Sequence, residues 1–157
     1  MILPEISDFL AALPQGRAIC GLDLGDKTIG IAVSDLRRSV ATPIHTVRRV
    51  KFTTDAAELL AVLTERNIAG IILGLPLNMD GTPGPRVQST QAFARNLTKL
   101  TDLPITFWDE RLSTVAAERA LLEGDTSRKR RREVIDQIAA SYILQGALDR
   151  LAYMSRT

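Results

Sequence analysis

The chain of 157 residues has very few side chains that carry thiol or imidazole chemistry: one cysteine, Cys20, and one histidine, His45. A single cysteine cannot form an intrachain disulfide, so we expect a protein of a reducing compartment. Zinc sites, Cys–His pairs and Ser–His–Asp triads need more cysteine or histidine than the chain contains. Aspartate and glutamate are therefore the side chains left to form a catalytic site.

Long apolar runs are absent as well, and none reaches the ~18 residues that a membrane-spanning helix needs. The first 16 residues include Glu5 and Asp8 but no lysine or arginine, which is not the pattern of a secretory signal. We therefore expect a cytoplasmic protein with no membrane partner. Since 45% of the residues are apolar and a chain of this length buries roughly 70% of its unfolded surface, we expect one domain with its own core.

Positive charge is concentrated in one basic run, residues 128–132. The run consists of Arg128, Lys129, Arg130, Arg131 and Arg132. It contributes +5, so the remaining residues carry −3, because the whole chain carries +2. A local positive block on a mildly acidic body indicates an anionic partner that binds at one place. The alternative is a solvated loop without a partner, and the charge pattern alone does not decide between the two.

Apolar patterns predict five strands. Runs at residues 18–24 and 29–34 are separated by Gly-Asp-Lys-Thr, which is the pattern of a hairpin. An alternating stretch around residues 43–50 predicts an edge strand. Residues 70–74 and 104–108 are short apolar runs that predict two further, buried strands.

Helical spacing predicts the elements between and after these strands. One helix is predicted by the apolar stripe Ala56, Leu59, Leu60 and Leu63, and a second by Phe93, Leu97 and Leu100. A third can be capped by Ser113 and stops near Gly124. A last helix is expected from Val134 to about Ala152. The order βββαβαβα predicts a three-layer α/β domain over residues 17–154, with a mixed sheet whose first three strands are antiparallel and helices on both faces. Residues 1–16, with helical spacing of their own, are expected to form an N-terminal extension.

Carboxylates occur at three informative positions. Asp23 lies in a buried strand just before a tight turn, where an acid is costly unless it is paired or bound to metal; capping of the turn is the alternative. Asp109 and Glu110 end the last strand, at the edge where open α/β sheets carry their sites, and alternation lets only one of them face Asp23. Asp136 opens the last helix, where stabilisation of the helix dipole is the alternative role.

Three carboxylates at one sheet edge form the oxygen donor set that Mg²⁺ or Mn²⁺ requires. Two such ions ~4 Å apart can activate water and stabilise the leaving oxygen in phosphodiester hydrolysis. The basic run directly precedes Asp136, so it would bind nucleic acid beside the metals. These residues predict a metal-dependent nuclease.

Four motifs occur in order at residues 22–35, 74–81, 108–114 and 135–145: LDLGDKTIGIAVSD, GLPLNMDG, WDERLST and IDQIAASYILQ. With these motifs the chain resembles the YqgF/RuvX family, whose members are described as Holliday junction resolvases and as pre-16S rRNA nucleases. The resemblance implies an RNase H-like fold in a cytoplasmic bacterial protein.

The resemblance assigns the family's catalytic and metal-binding acids to Asp23, Glu110 and Asp136. Many resolvases of this fold use four acids, and Glu133 or Asp109 is the candidate for the fourth. Lys27 and Arg111 are expected, together with the basic run, to bind nucleic acid. The family commonly has Lys-Arg where this chain has Lys27 followed by Thr28, so one phosphate-contacting cation is replaced.

The expected substrate is structured RNA, with cleavage at the 5′ end of pre-16S rRNA during ribosome biogenesis and with ribosomal precursor particles as partners. A resolvase of branched DNA is the alternative within the same chemistry, and an obligate dimer would favour it. A catalytically silent RNA-binding assembly factor is the alternative of another class. A sugar-kinase-like phosphate binder needs two domains of this kind, and the chain has the length of one.

Overall fold

The structure is a computed structural model that describes residues 1–112 and 128–155, with side chains for residues 1–112 and 134–155. The helices in this part of the chain are α1 (Ile6–Ala12), α2 (Phe52–Glu65), α3 (Pro85–Leu97) and α4 (Arg128–Ser155). The strands are β1 (Cys20–Leu24), β2 (Thr28–Ser34), β3 (Ala41–Arg48), β4 (Ile71–Leu75) and β5 (Ile105–Asp109). A short 3₁₀ helix (Glu110–Leu112) follows β5.

The five strands form one mixed sheet in the order β3-β2-β1-β4-β5. β1, β2 and β3 pair antiparallel, whereas β4 pairs parallel with both β1 and β5. The hairpin between β1 and β2 closes where the Gly25 N–H donates to the Thr28 carbonyl over 2.8 Å. The mixed sheet with an antiparallel first half is as predicted, and β3 is the edge strand.

Two apolar layers cover the two faces of the sheet. Residues of α2 and α3 pack on one face, against Leu22, Ile31 and Leu73. Residues of α4 pack on the other face, around Ile72 and Trp108. Neighbouring strand residues alternate between these layers because successive side chains of a strand point to opposite faces. The predicted three-layer arrangement is therefore observed.

Helix α4 lies unusually close to the sheet because glycines face it. A Cβ built on Gly21 would stand 2.7 Å from the Leu144 Cβ. A Cβ on Gly30 would overlap the backbone of Asp136, and one on Gly74 would overlap the Ile143 side chain. These glycines belong to β1, β2 and β4, so α4 packs against the backbone of three neighbouring strands.

Residues 1–16 pack onto this domain. Phe9 and Leu13 of the α1 segment are buried in the α4 layer. Ahead of α1, the Ile105 N–H donates to the Met1 carbonyl over 2.8 Å, and the Leu3 N–H donates to the Ile105 carbonyl over 2.7 Å. The first residues of the chain therefore cover the outer edge of β5.

Two sequence predictions about helix ends are wrong. Helix α3 ends at Leu97, and Leu100 lies beyond it with 52% of its surface exposed. After Leu97, backbone hydrogen bonds between residues three apart replace the α-helical pattern, so the helix ends before Leu100. Helix α4 extends from Arg128, not from Val134. The backbone of the basic run is helical and not the loop of the alternative interpretation, in keeping with the helix propensity of arginine and lysine, and whether the run has a partner stays a prediction.

The helix predicted from Ser113 to Gly124 lies outside the described residues. Within the described part of the chain, no helix combines the length and the apolar character needed to cross a membrane.

Candidate active site

Asp23 lies in β1 with only 1% of its surface exposed. It is paired directly with Gly30 across the β1–β2 ladder, and directly opposed residues in a sheet share a face. The α carbon of Gly30 faces the backbone of Asp136. The Asp23 carboxylate is therefore on the α4 face of the sheet, at the carboxyl end of β1.

Asp136 reaches the same end of the sheet from α4. The Thr28 hydroxyl donates a hydrogen bond to its Oδ2 atom, and a Cβ built on Gly25 would stand 2.9 Å from that oxygen. The carboxylate thus sits over the β1–β2 turn, where glycine leaves room for it. Because α4 extends from Arg128, Asp136 is not in its first turn, and the helix-dipole explanation of this acid is wrong.

Glu110 follows β5 directly and turns toward the same face. Its Oε1 atom is 2.7 Å from a Cβ built on Gly74, the glycine that also faces Ile143 of α4. Asp109 precedes it and pairs with Leu75, one residue beyond Gly74. Strand alternation therefore separates the two acids, with Glu110 on the α4 face and Asp109 on the other.

Asp109 is engaged by Arg111, whose Nη2 atom donates to the Asp109 Oδ2 over 2.7 Å. The Arg111 hydrogen bonds hold the pKa of the Asp109 carboxyl below its ordinary value, and the same contacts raise the pKa of the guanidinium. Arg111 also donates to the Met79 carbonyl over 3.4 Å. Arg111, which was expected to bind nucleic acid, is therefore paired with a carboxylate of the chain itself.

The chemistry of the three carboxylates on the α4 face suits a hard divalent cation, since all are oxygen donors. Gly25 and Gly74 lack side chains, and the carboxylates of Asp136 and Glu110 occupy the room that this leaves. Within the residues described, however, no three His, Cys, Asp or Glu side chains are grouped closely enough to hold one ion. The donor set therefore fits Mg²⁺ or Mn²⁺ in chemical type, whereas the three carboxylates are not gathered around one ion position in this arrangement, in which Asp136 is bonded to Thr28.

The predicted nucleic-acid contacts are distributed around this edge. Lys27 is exposed on the β1–β2 turn, directly beside the carboxyl end of β1. The backbone of residues 128–132 belongs to α4, eight to four residues ahead of Asp136. The side chains of these five residues, and that of the candidate fourth acid Glu133, lie outside the described side chains.

Sequence reasoning missed three residues at the end of β1. Thr28 binds Asp136 across 108 residues of sequence. The Nη1 atom of Arg49 donates to the Gly25 carbonyl over 2.7 Å, and the Nη2 atom of Arg86 donates to the Leu24 carbonyl over 3.3 Å. A basic residue just after a strand or at a helix start gives no local sign of such distant partners.

Three further residues have packing or surface contacts. Trp108 is 8% exposed and packs against Gly146 of α4, whose added Cβ would stand 3.0 Å from the indole ring. Cys20 is fully buried, and burial raises the pKa of its thiol. His45 lies 3.7 Å from the Glu58 carboxylate on the edge strand.

Comparison with protein families gives one match over most of the chain. The model of the RuvX family, described as Holliday junction resolvase, matches residues 17–150. A protein of Rhodobacter capsulatus named "Putative pre-16S rRNA nuclease" is 67% identical over 99% of this chain and 98% of its own length. A protein of Paracoccus denitrificans with the same name is 67% identical over 100% of this chain and 99% of its own length.

Solved structures with a similar fold include Holliday junction resolvases. RuvC of T. thermophilus, in complex with its junction substrate, has a TM-score of 0.51 at 13% identity, covering 86% of this chain and 96% of RuvC. The yeast mitochondrial resolvase Ydc2 has a TM-score of 0.52 at 11% identity, covering 96% of this chain and 86% of Ydc2. At these identities the similarity concerns the fold, and the predicted RNase H-like class is confirmed.

Proposed function

Because the chain belongs to the RuvX family, we propose that it is a metal-dependent endonuclease that hydrolyses phosphodiester bonds in structured nucleic acid. The observation that carries this function is the position of three carboxylates, those of Asp23, Glu110 and Asp136, on the α4 face at the carboxyl edge of the sheet. Oxygen ligands of this kind suit the cations used in phosphodiester hydrolysis.

The proposed substrate is the 5′ end of pre-16S rRNA, cut in the cytoplasm during ribosome biogenesis, with ribosomal precursor particles as partners. The support is the name carried by relatives that match over nearly the whole chain at 67% identity. The basic run of residues 128–132 would bind the RNA backbone, since neutralised phosphates dominate the affinity of such proteins for nucleic acid. Lys27 would add a contact at the turn.

Asp23, Glu110 and Asp136 would hold the Mg²⁺ or Mn²⁺. When bound, the cation supplies a water nucleophile and neutralises charge that develops on the phosphate and the leaving oxygen. β1 holds Asp23 in a buried, rigid position, and the Thr28 hydroxyl orients Asp136. The Asp109–Arg111 pair keeps the residues after β5 in their turn, which directs Glu110 to the α4 face.

Resolution of DNA junctions is the second candidate function. The description of the matching family favours it. A resolvase cuts two symmetry-related strands and so requires a two-fold dimer, whereas a single copy suffices to trim one RNA end. The oligomeric state in solution and paired cuts in a four-way junction would therefore separate the two functions.

Substitution of the carboxylates tests the proposed function. Asp23→Asn, Glu110→Gln and Asp136→Asn should each abolish cleavage of pre-16S RNA while binding persists, because each keeps its shape and loses its charge. Asp109→Asn should be milder than these three variants, because Asp109 is on the opposite face, but it should still lower activity through the loss of the pair with Arg111 that directs Glu110. Cleavage-site mapping with Mg²⁺, with Ca²⁺ and with excess EDTA completes the test, and only the Mg²⁺ reaction should give product.

Wild-type rates in any of the three variants would remove that residue from the site. Undiminished cleavage in EDTA would contradict metal dependence. RNA binding without cleavage by the wild-type chain on either substrate would favour the silent assembly factor.

A further inference from the structure

A pocket with basic side chains lies at the end of β1 on the face opposite the carboxylates. It has a volume of about 360 Å³. Arg49, Lys51 and Arg86 line it, together with Leu24 and Gly25 at the end of the strand. Residues from the start of α2 and from α3 complete its wall, which assigns the pocket to the α2 and α3 face of the sheet.

Two guanidinium groups converge in this pocket. Arg49, just after β3, donates to the Gly25 carbonyl, and Arg86, at the start of α3, donates to the neighbouring Leu24 carbonyl. The Arg49 Cζ atom also lies 5.9 Å from the centre of the Phe93 ring, a cation–π contact that orients the guanidinium. Both cations are thus held against the last residues of the strand that carries Asp23.

Each guanidinium retains most of its hydrogen-bond donors. A guanidinium has five N–H groups, and the backbone carbonyl accepts from only one nitrogen of each. Neither Arg49 nor Arg86 forms an ion pair with any residue that the structure describes. Free N–H groups on exposed, oriented guanidinium groups are the donors that bind phosphate oxygens in pairs.

The pocket also contains two acids, Asp26 and Asp55. Asp55 is 5% exposed, and its Oδ1 atom accepts the Val50 N–H over 3.0 Å. The Asp55 carboxylate is therefore already bonded to the backbone between β3 and α2. Three cations against two acids leave the pocket positive, which favours an anionic ligand.

We propose that Arg49 and Arg86 bind a phosphate of the substrate strand close to the cleavage site, so that the strand crosses the end of β1 from one face of the sheet to the other. Gly25 is two residues from Asp23, at most about 7 Å along the chain, and a nucleic-acid strand rises about 3.4 Å per nucleotide. The bound phosphate is then within a few nucleotides of the scissile one. This inference rests on the proposed function.

Salt dependence of binding tests the role of the two arginines. The protein is titrated, in EDTA so that no cleavage occurs, against a synthetic RNA of the pre-16S 5′ region and a four-way DNA junction. The double variant Arg49→Gln, Arg86→Gln should flatten the plot of log affinity against log salt by about 0.7 to 0.9, the value for one phosphate. A fourfold rise in salt should then weaken wild-type binding about threefold more than variant binding.

Control variants separate this effect from general charge loss and from misfolding. Arg95→Gln removes one positive charge, as Arg86→Gln alone does, but from the last turn of α3, about 13 Å along the helix from Arg86, and should leave the slope unchanged. Arg49→Lys with Arg86→Lys should keep most of the slope, because the charges remain. Melting curves for all variants show whether the Arg49–Gly25 contact is needed for folding, and Arg86→Gln alone is the reserve variant if the double variant does not fold.

Neutral methylphosphonate linkages, introduced one at a time into the RNA, locate the contact. One position near the cleavage site should weaken binding by wild type and leave binding by the double variant unchanged. The inference would be overturned if the double variant had the same salt slope as wild type, or if both proteins were equally sensitive to the neutral linkage at every position. Either result would leave the proposed function standing. Failure of the wild-type chain to bind either nucleic acid would overturn the proposed function and this inference with it.

Discussion

Thr28 is a small residue whose side chain connects the start of β2 to α4. Its hydroxyl donates to the Asp136 carboxylate, where the resembling family commonly has a cation. Thr28→Val keeps the shape and removes the donor, and a hydrogen bond to a charged group is worth about 1.5–3 kcal/mol. We expect a loss of about that size in the free energy of unfolding, together with slower cleavage. Thr28→Ser should retain both, and chemical denaturation with single-turnover cleavage measures them. Equal stability of Thr28→Val and wild type would contradict this role.

Asp35 closes the turn after β2 and makes folding sensitive to acid. Its carboxylate accepts the Val40 N–H, the Ser39 hydroxyl and the Ser39 N–H, which lower its pKa from 3.8 to about 2. Because the folded-state pKa lies below the unfolded one, this stabilisation is complete above about pH 4 and is lost as the pH falls toward 2.

Asp35→Asn should therefore be less stable than wild type at neutral pH, and the difference should shrink as the pH falls from 4 to 2. Urea unfolding across this range measures the difference in stability. Ser39→Ala should show a smaller effect, because the backbone N–H groups of residues 39 and 40 still donate to Asp35. A difference between Asp35→Asn and wild type that is independent of pH would contradict the prediction.

Among the elements, α4 depends on the glycines beneath it. Gly30→Ala would force a methyl group into the backbone of Asp136, and overpacking of this kind costs about 3 kcal/mol. We expect the melting temperature to fall by about 6–12 °C for a chain of this size, with loss of cleavage because Asp136 moves. Gly84→Ala is the control, since an added Cβ there meets nothing nearer than 3.4 Å. A Gly30→Ala variant as stable as this control would mean that α4 packs differently.

Strands were predictable from the sequence and contacts between distant elements were not. The β1–β2 hairpin follows from two local apolar runs around a turn, and the edge position of β3 follows from its polar alternation. Contacts such as Thr28 with Asp136 or Arg49 with Gly25 depend on tertiary packing that joins residues 108 and 24 positions apart. The start of α4 was missed because apolar periodicity begins only after the basic run.

The candidate site shows the same division. Asp23, Glu110 and Asp136 were identified from strand ends, from an apolar helix face and from the family resemblance, and the recognition of the family is confirmed. Their assignment as metal ligands stays a prediction. Gly25, Gly30 and Gly74, which give the carboxylates and α4 their room, could be read as ordinary turn or strand glycines until α4 was seen to lie against them.

For the whole molecule, the basic run sets the expected dependence of binding on salt. A triple variant with Arg130→Gln, Arg131→Gln and Arg132→Gln should bind every nucleic-acid sequence more weakly and to the same extent. The slope of log affinity against log salt should become shallower by roughly two to three. Cleavage at saturating substrate should change much less. Fluorescence anisotropy across a salt series measures the slope, with Lys99→Gln as control and melting curves for each protein. Unchanged slope would mean that the run has no phosphate partner, and loss for one sequence alone would indicate direct base recognition.

The contact between Thr28 and Asp136 also bears on when the three carboxylates can come together during synthesis. A ribosome adds about 5–20 residues per second, so the 108 residues between these partners take about 5–20 s to translate. Throughout that interval Asp23 and the glycines of the sheet have no α4 to cover them, and the third carboxylate does not yet exist. The proposed cleavage site is therefore incomplete in a nascent chain until α4 has been made and packs against the sheet.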